Sequence, residues 1–354
     1  MRVEKIVLNE EKEVSLTAYL LETGGEFQNI SRRPAVLILP GGGYQFCSDR
    51  EADPVAMPYL KAGYQAFILR YSVGKHCVWP DPLQDYEQAM KLIRGKEEEW
   101  NVFPDKIAVI GFSAGGHLAA AAAVMSENRP NAAILGYPVT GADVKGCLAT
   151  APDTIPHVDR NTCPCFLFAT RTDEIVPVMN SIRFMEALVQ ADISFESHIY
   201  SYGPHGFSTC DSSVQSRDTA ISPRVPGWVD DSLGWLKEVF GDFGSKEMTE
   251  PVCKAHVTEN DGEFLSVDCT FGYIMSQPEG RQLVEQFLGA TGKQEMPGGQ
   301  EAPQMTPEMM AMASGMKLRQ ILEYAHLPGE IIEQVNGQLS VIPNRIRADQ
   351  EKKF

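Results

Sequence analysis

Histidine is scarce in this chain, with 7 among 354 residues. Long unbroken apolar sequence is also missing: no run approaches the roughly 18 residues that a membrane-spanning helix needs. Basic residues are in deficit, with 31 Lys and Arg against 47 Asp and Glu and a net charge of −16. That balance disfavours nucleic acid and anionic membrane surfaces as partners. The 8 cysteines form neither a paired framework nor a zinc-type double Cys-x-x-Cys, so no disulfide scaffold and no structural metal site is expected. Cys163 and Cys165 lie two apart in an apolar run and share one side of a strand, as core thiols do. No internal repeat is evident. The N-terminus, Met1-Arg-Val-Glu-Lys, carries no apolar signal-type region, which leads to the expectation of a cytoplasmic chain with reduced thiols.

Hydrophobic residues make up 43% of the chain, enough for a full core, and the length allows one large α/β domain plus a smaller part. The most informative stretch is 106–119. Ile107 to Ile110 is a short β-branched run that reads as a buried strand. Gly111-Phe112-Ser113-Ala114-Gly115 fits Gly-x-Ser-x-Gly, and an alanine-rich segment through Val124 reads as a helix. Strand, sharp turn and helix are what a nucleophile elbow requires. Such a turn holds Ser113 strained above the sheet, with the Ala114 amide at the positive end of the helix.

In chain order, 3–8 and 13–21 alternate apolar and polar residues about a turn and predict a hairpin. Ala35 to Leu39 is a buried strand running into Pro40-Gly41-Gly42-Gly43-Tyr44. Three glycines after a strand let backbone amides approach a ligand closely. Helices are predicted around 54–62, 83–100, 178–190 and 228–240, and strands at 65–71, 132–139, 165–170 and 194–202. The alternation implies a mainly parallel sheet wound on both faces. Composition changes near Gly241–Ser245. The chain is therefore divided into a catalytic domain at 1–243 and a small, mostly helical module at 244–354, with a flexible linker near 290–307 and helical spacing at 279–289, 308–324 and 328–339.

A serine nucleophile needs a base, and the base needs an acid to orient it. His117 follows the elbow by one helical turn and reads as local packing. His198 lies within a strand, His76 and His157 in loops without a preceding strand end, and His256 and His326 in the appended module. His205 alone follows a late strand end, where open α/β sheets bind their ligands. The acid then belongs after the preceding strand, where Asp173 stands, with Glu174 as runner-up and Asp153 and Asp159 as outsiders. The competing reading of Asp173 is a helix N-cap. The oxyanion donors would be the Ala114 amide and that of Gly42 or Gly43.

These residues resemble the α/β-hydrolase fold family, and within it compact bacterial esterases related to hormone-sensitive lipase and to carbohydrate acetyl and feruloyl esterases. The likeness covers roughly 14–240. Gly111–Gly115 matches the elbow, and Pro40–Tyr44 the His-Gly-Gly-Gly-aromatic oxyanion loop, with proline where the family has its bracing histidine. Arg70-Tyr71-Ser72 with Trp79–Asp85 is similar to a further family segment, and Asp173 and His205 fall on the acid and base positions. The resemblance implies ester hydrolysis through an acyl-enzyme without a cofactor. No helical cap precedes the fold, which favours short acyl groups on a bulky alcohol such as a sugar. Residues 266–342 are similar to a small helical module at the C-termini of some bacterial carbohydrate-active hydrolases, which implies no activity.

The expectation is thus a serine carboxylic-ester hydrolase removing short acyl groups, acetyl above all, from xylan-type oligosaccharides. Loops 140–162 and 208–227 would shape its pocket, with Tyr44 and Trp79 as walls. No metal, nucleic acid or membrane partner is expected, and the C-terminal module is a candidate for homo-oligomerisation. The alternatives are a prolyl-peptidase-like serine peptidase, disfavoured by the lack of a propeller-like repeat, and a non-catalytic binding protein on the same fold. A dienelactone hydrolase would need cysteine where Ser113 stands.

Overall fold

A computed structural model of the chain describes residues 1–245, 247–258, 260, 262–291 and 311–344. The chain forms two compact units, Met1–His256 and Val257–Phe354. Among the described residues no helix is long and apolar enough to cross a membrane, and no disulfide is present.

The first unit is built on an eight-stranded sheet. Its elements in order are β1 (Arg2–Asn9), β2 (Val14–Leu20), β3 (Arg33–Leu39), α1 (Asp53–Lys61), β4 (Gln65–Arg70), α2 (Asp81–Gly95), α3 (Glu97–Trp100), β5 (Val102–Phe112), α4 (Ser113–Met125), β6 (Ala132–Gly136), β7 (Cys165–Thr170), α5 (Met179–Gln190), β8 (Phe195–Tyr200) and α6 (Trp228–Phe240). The strand order is β1-β2-β4-β3-β5-β6-β7-β8. The hairpin β1–β2 and the β2–β4 pair are antiparallel. The other neighbours are parallel.

Every residue of β3, β6 and β7 is buried, as befits strands covered on both faces. The period of two sorts their side chains into two cores. Ala35, Leu37, Leu39, Ile107 and Val109 meet α2, α4 and α5 on one face. Val36, Ile38, Ala108 and Ile110 meet α1 and α6 on the other. Truncating one such residue to alanine costs about 2–5 kcal/mol. Helix α4 is buried on all sides, and Ala119 to Ala123 have no exposed surface.

The helix predicted at 83–100 is two helices. Lys96 interrupts it, and α3 turns Trp100 inward against Phe67, with ring centroids 5.3 Å apart. The first unit also extends beyond residue 243. The Ala255 carbonyl accepts the Ser194 amide, and Val252 and Cys253 donate to the Glu238 carbonyl.

The second unit holds helices at Phe271–Ser276, Pro278–Thr291, Leu318–Tyr324 and Gly329–Leu339. Phe271, Ile274, Leu322, Ile332 and Leu339 are among the residues of its own core. Arg319 grips Asp268 with two nitrogens, at 2.8 and 3.3 Å. The expected linker at 290–307 falls, apart from its first two residues, outside the described residues, as do the first three residues of the helix expected at 308–324.

Strand register brings the chemistry together. Leu39 pairs with Gly111, Phe112 with Gly136, and Thr170 with Tyr200. The segments that begin at Pro40, Ser113, Tyr137, Arg171 and Ser201 therefore leave the sheet along one carboxyl edge.

Candidate active site

Ser113 stands at the junction of β5 and α4 with φ of +53°, a strained value for a non-glycine residue. The turn closes only because its neighbours lack side chains. A Cβ on Gly111 would lie 2.2 Å from the Gly115 carbonyl oxygen, and one on Gly115 would lie 2.1 Å from that of Leu39. The Ala114 amide is one of the first-turn donors that a helix leaves without an internal partner.

His205 Nε2 lies 2.8 Å from Ser113 Oγ, and His205 Nδ1 lies 2.7 Å from Asp173 Oδ2. A carboxylate only accepts, so Nδ1 carries the proton and Nε2 is left to accept the serine hydroxyl. The Asp173 side chain is 1% exposed and that of His205 11%. Asp173 Oδ1 accepts the amides of Ile175 and Val176 at 2.9 and 2.8 Å, so both carboxylate oxygens are fixed. Asp173 does not cap α5, whose N-cap is Val178. The loop bearing His205 is tied to the end of β7 through Thr170 Oγ1, which donates to the Gly203 carbonyl at 2.7 Å.

The glycine loop presses against the nucleophile, since a Cβ on Gly41 would lie 3.1 Å from Ser113 Cβ. The Gly41 amide donates to Glu51 Oε2 at 2.8 Å. Among the described residues, the amides of Gly42 and Gly43 donate to no other protein group. Proline in place of histidine leaves the loop well supported, because the Tyr71 hydroxyl donates to the Pro40 carbonyl at 2.6 Å.

Tyr44 is not a pocket wall. Its side chain is wholly buried, and its hydroxyl donates to His117 Nδ1 at 2.6 Å. His117 Nε2 in turn donates to the Pro152 carbonyl at 2.8 Å, and burial pushes this imidazole down to about 4. His117 is thus a neutral strut between the glycine loop and the 140–162 loop. Trp79 packs edge-on against His117, centroids 5.4 Å apart, with part of its surface exposed. Of the other acids considered, Glu174 is exposed. Asp159 is paired with Arg129, and Asp153 accepts the Ile155 amide. His198 lies in β8 beside Glu196.

Two residues at the site carry no sequence signal. Glu51 sits in a polar stretch ten residues past Gly41, and Tyr137 follows β6; both are buried against the site.

Among solved structures, MGS-M1, described as an α/β hydrolase enzyme from a Medee basin deep-sea metagenome library, is 44% identical to this chain. It superposes with a TM-score of 0.64, and the match covers 68% of this chain and 98% of that one. The chain belongs to the α/β-hydrolase family. The BD-FAE family profile matches residues 27–132 of this α/β-hydrolase. Endo-1,4-beta-xylanase B of Butyrivibrio fibrisolvens is 32% identical over 208 residues, covering 50% of this chain and 33% of that protein. Acetylxylan esterase of Xylanibacter ruminicola is 31% identical over 199 residues, covering 49% of this chain and 41% of that protein. The α/β-hydrolase chain thus spans well under half the length of these curated relatives.

Proposed function

We propose that this α/β-hydrolase is a serine carboxylic-ester hydrolase that removes short acyl groups, chiefly acetyl, from carbohydrate. The observation that carries the reading is the hydrogen-bonded series Asp173–His205–Ser113 at the carboxyl edge of the sheet. Similarity to an acetylxylan esterase supports a carbohydrate ester as the substrate.

In this mechanism Ser113 Oγ attacks the ester carbonyl carbon as its proton passes to His205 Nε2. Asp173 holds the tautomer that makes Nε2 the acceptor and stabilises the imidazolium. The carbonyl oxygen becomes an oxyanion facing the amides of Ala114 and of Gly42 or Gly43, and losing one such donor costs about 3 kcal/mol of barrier. Collapse breaks the bond to the alcohol, which leaves with the proton from His205. Water then gives a proton to His205 and attacks the acyl-serine, releasing the acid and restoring Ser113. Nucleophile, base and donors are all protein groups, so the chemistry asks for no cofactor. Trp79, partly exposed beside His117, is a candidate for contact with the alcohol part.

The test is acetate release from acetylated xylo-oligosaccharides beside p-nitrophenyl acetate and butyrate, with wild type and Ser113→Ala. Release from the sugar that disappears in the variant supports the whole reading. Turnover of the nitrophenyl esters alone keeps the mechanism and rejects the sugar substrate. Absence of any Ser113-dependent ester cleavage sinks the proposal.

A further inference from the structure

Glu51 is 4% exposed, and each of its carboxylate oxygens accepts a hydrogen bond. Oε2 takes the Gly41 amide at 2.8 Å, and Oε1 takes the Tyr137 hydroxyl at 2.6 Å. The Tyr137 oxygen also accepts the Ser208 amide at 3.0 Å, so its one proton points to Glu51. Ser208 Oγ donates back to the carbonyl of Arg50, the residue before Glu51. The Tyr137 ring meets His205 edge-on with centroids 5.0 Å apart, and Phe207 at 4.6 Å. Tyr137 holds φ at +35°, strained for an aromatic residue, in the segment after β6.

The bonds form a closed circuit. One arm ends on the glycine loop, where an added Cβ on Gly41 would crowd Ser113, and the other ends on the segment three residues past His205. Burying a carboxylate costs several kcal/mol of lost hydration, which two good donors only partly offset. Nothing in the packing of an apolar core requires an acid here.

We infer that Glu51 is a positioning residue, the buried brace that holds the oxyanion loop and the histidine loop in one geometry against Ser113. The role rests on the ester-hydrolase reading for its kinetic consequence, but the brace itself is read from the two loops. The charged groups facing Glu51 are His205 and Arg50, and the hydroxyls of Tyr137 and Tyr71 face it as well. Burial raises the Glu51 carboxyl, while the bonds from Tyr137 and Gly41 and the nearby His205 and Arg50 pull it back.

The experiment compares wild type, Glu51→Gln and Tyr137→Phe. Amide hydrogen exchange of 41–44 and 203–208 needs no substrate. In Glu51→Gln both segments exchange faster, because the charge-assisted bonds that tie them to the carboxylate are weakened. In Tyr137→Phe the 203–208 segment exchanges faster, because the Ser208 amide loses its acceptor. On p-nitrophenyl acetate, Glu51→Gln lowers kcat by about 10²-fold with little change in KM, the scale of a misplaced catalytic geometry. Labelling of Ser113 with a fluorophosphonate counts folded sites, so a loss that merely tracks unfolded protein overturns the inference. Unchanged exchange in both loops overturns it too. If wild type cleaves no ester and takes no label, the ester-hydrolase reading fails, and the exchange still decides for or against the brace.

Discussion

His205 Nε2 and Ser113 Oγ lie 2.8 Å apart across 92 residues of sequence. The contact exists because two strand ends, β5 and β8, finish on the same edge of the sheet, three strand spacings apart. The loop after β8 spans that gap and is anchored at Gly203 by Thr170 and at Ser208 by Tyr137.

If that contact is the proton path, Ser113→Ala and His205→Ala each lower kcat on p-nitrophenyl acetate by about 10⁴-fold or more. The double variant is barely worse than either single one, because the two act as a unit. Additive losses would mean that the residues work separately.

Asp173→Asn tests orientation without removing bulk. Asparagine can present its NH₂ to Nδ1 and so stabilise the wrong tautomer, and kcat falls by about 10⁴-fold. Circular dichroism and melting temperature stay near wild type if one amide bond to Ile175 or Val176 survives. A loss below tenfold would remove Asp173 from the mechanism.

Gly42→Ala addresses the glycine loop. The residue holds φ at +131°, and an added Cβ would lie 2.1 Å from the Phe46 carbonyl oxygen. The loop must rearrange, and kcat drops by about 10²–10³-fold, the cost of one oxyanion donor. The thermal transition is expected to move only slightly, since the strain is confined to a partly exposed turn. Full activity would exclude this loop from the oxyanion site.

His117 makes stability depend on acid. Its pKa is pushed down to about 4 by burial, against an ordinary 6.5 in the unfolded chain. Between those values the unfolded chain binds a proton that the folded chain refuses, so stability falls as pH drops from about 6.5 to about 4, by roughly 3 kcal/mol. Glu51 and Asp85 act in the opposite sense. Burial raises their carboxyls, so the folded chain takes up protons first and is favoured as pH falls. Urea unfolding of wild type and His117→Gln at pH 7.5 and 4.5 isolates the histidine. The advantage of wild type at pH 7.5 shrinks or reverses at pH 4.5; an equal difference at both would contradict a buried neutral imidazole.

A chain ending at His256 is expected to retain Ser113-dependent ester cleavage, because the triad and both cores of the first unit lie before that point. Ending at Phe243 instead removes the Ala255 partner of the Ser194 amide and the two donors to the Glu238 carbonyl, and lowers the melting temperature. Size-exclusion of full-length and His256-ended chains also tests self-association through the second unit. An unchanged oligomeric state rejects it.

The strand and helix alternation and the Ser113–His205–Asp173 series were legible because each rests on a local signal. Glycines flank the serine, and strand ends precede the histidine and the aspartate. Tyr44 was misread because the aromatic after the glycines looks like a wall until the fold turns it inward to His117. Glu51 gave no warning, since a buried acid and a solvated one look alike in sequence. The boundary at residue 243 followed composition, whereas the backbone bonds of 252–255 to β8 and α6 follow tertiary structure.

Helix α4 begins at the nucleophile, and between Leu118 and Val124 its buried residues are all alanine. A methyl group has no rotamer to change and no length to retract. Ala119 to Ala123 have no exposed surface and no room to spare, so any larger residue there displaces the helix that begins at Ser113. The tolerances of the chemistry are thus set two turns away from it, in residues that touch no substrate.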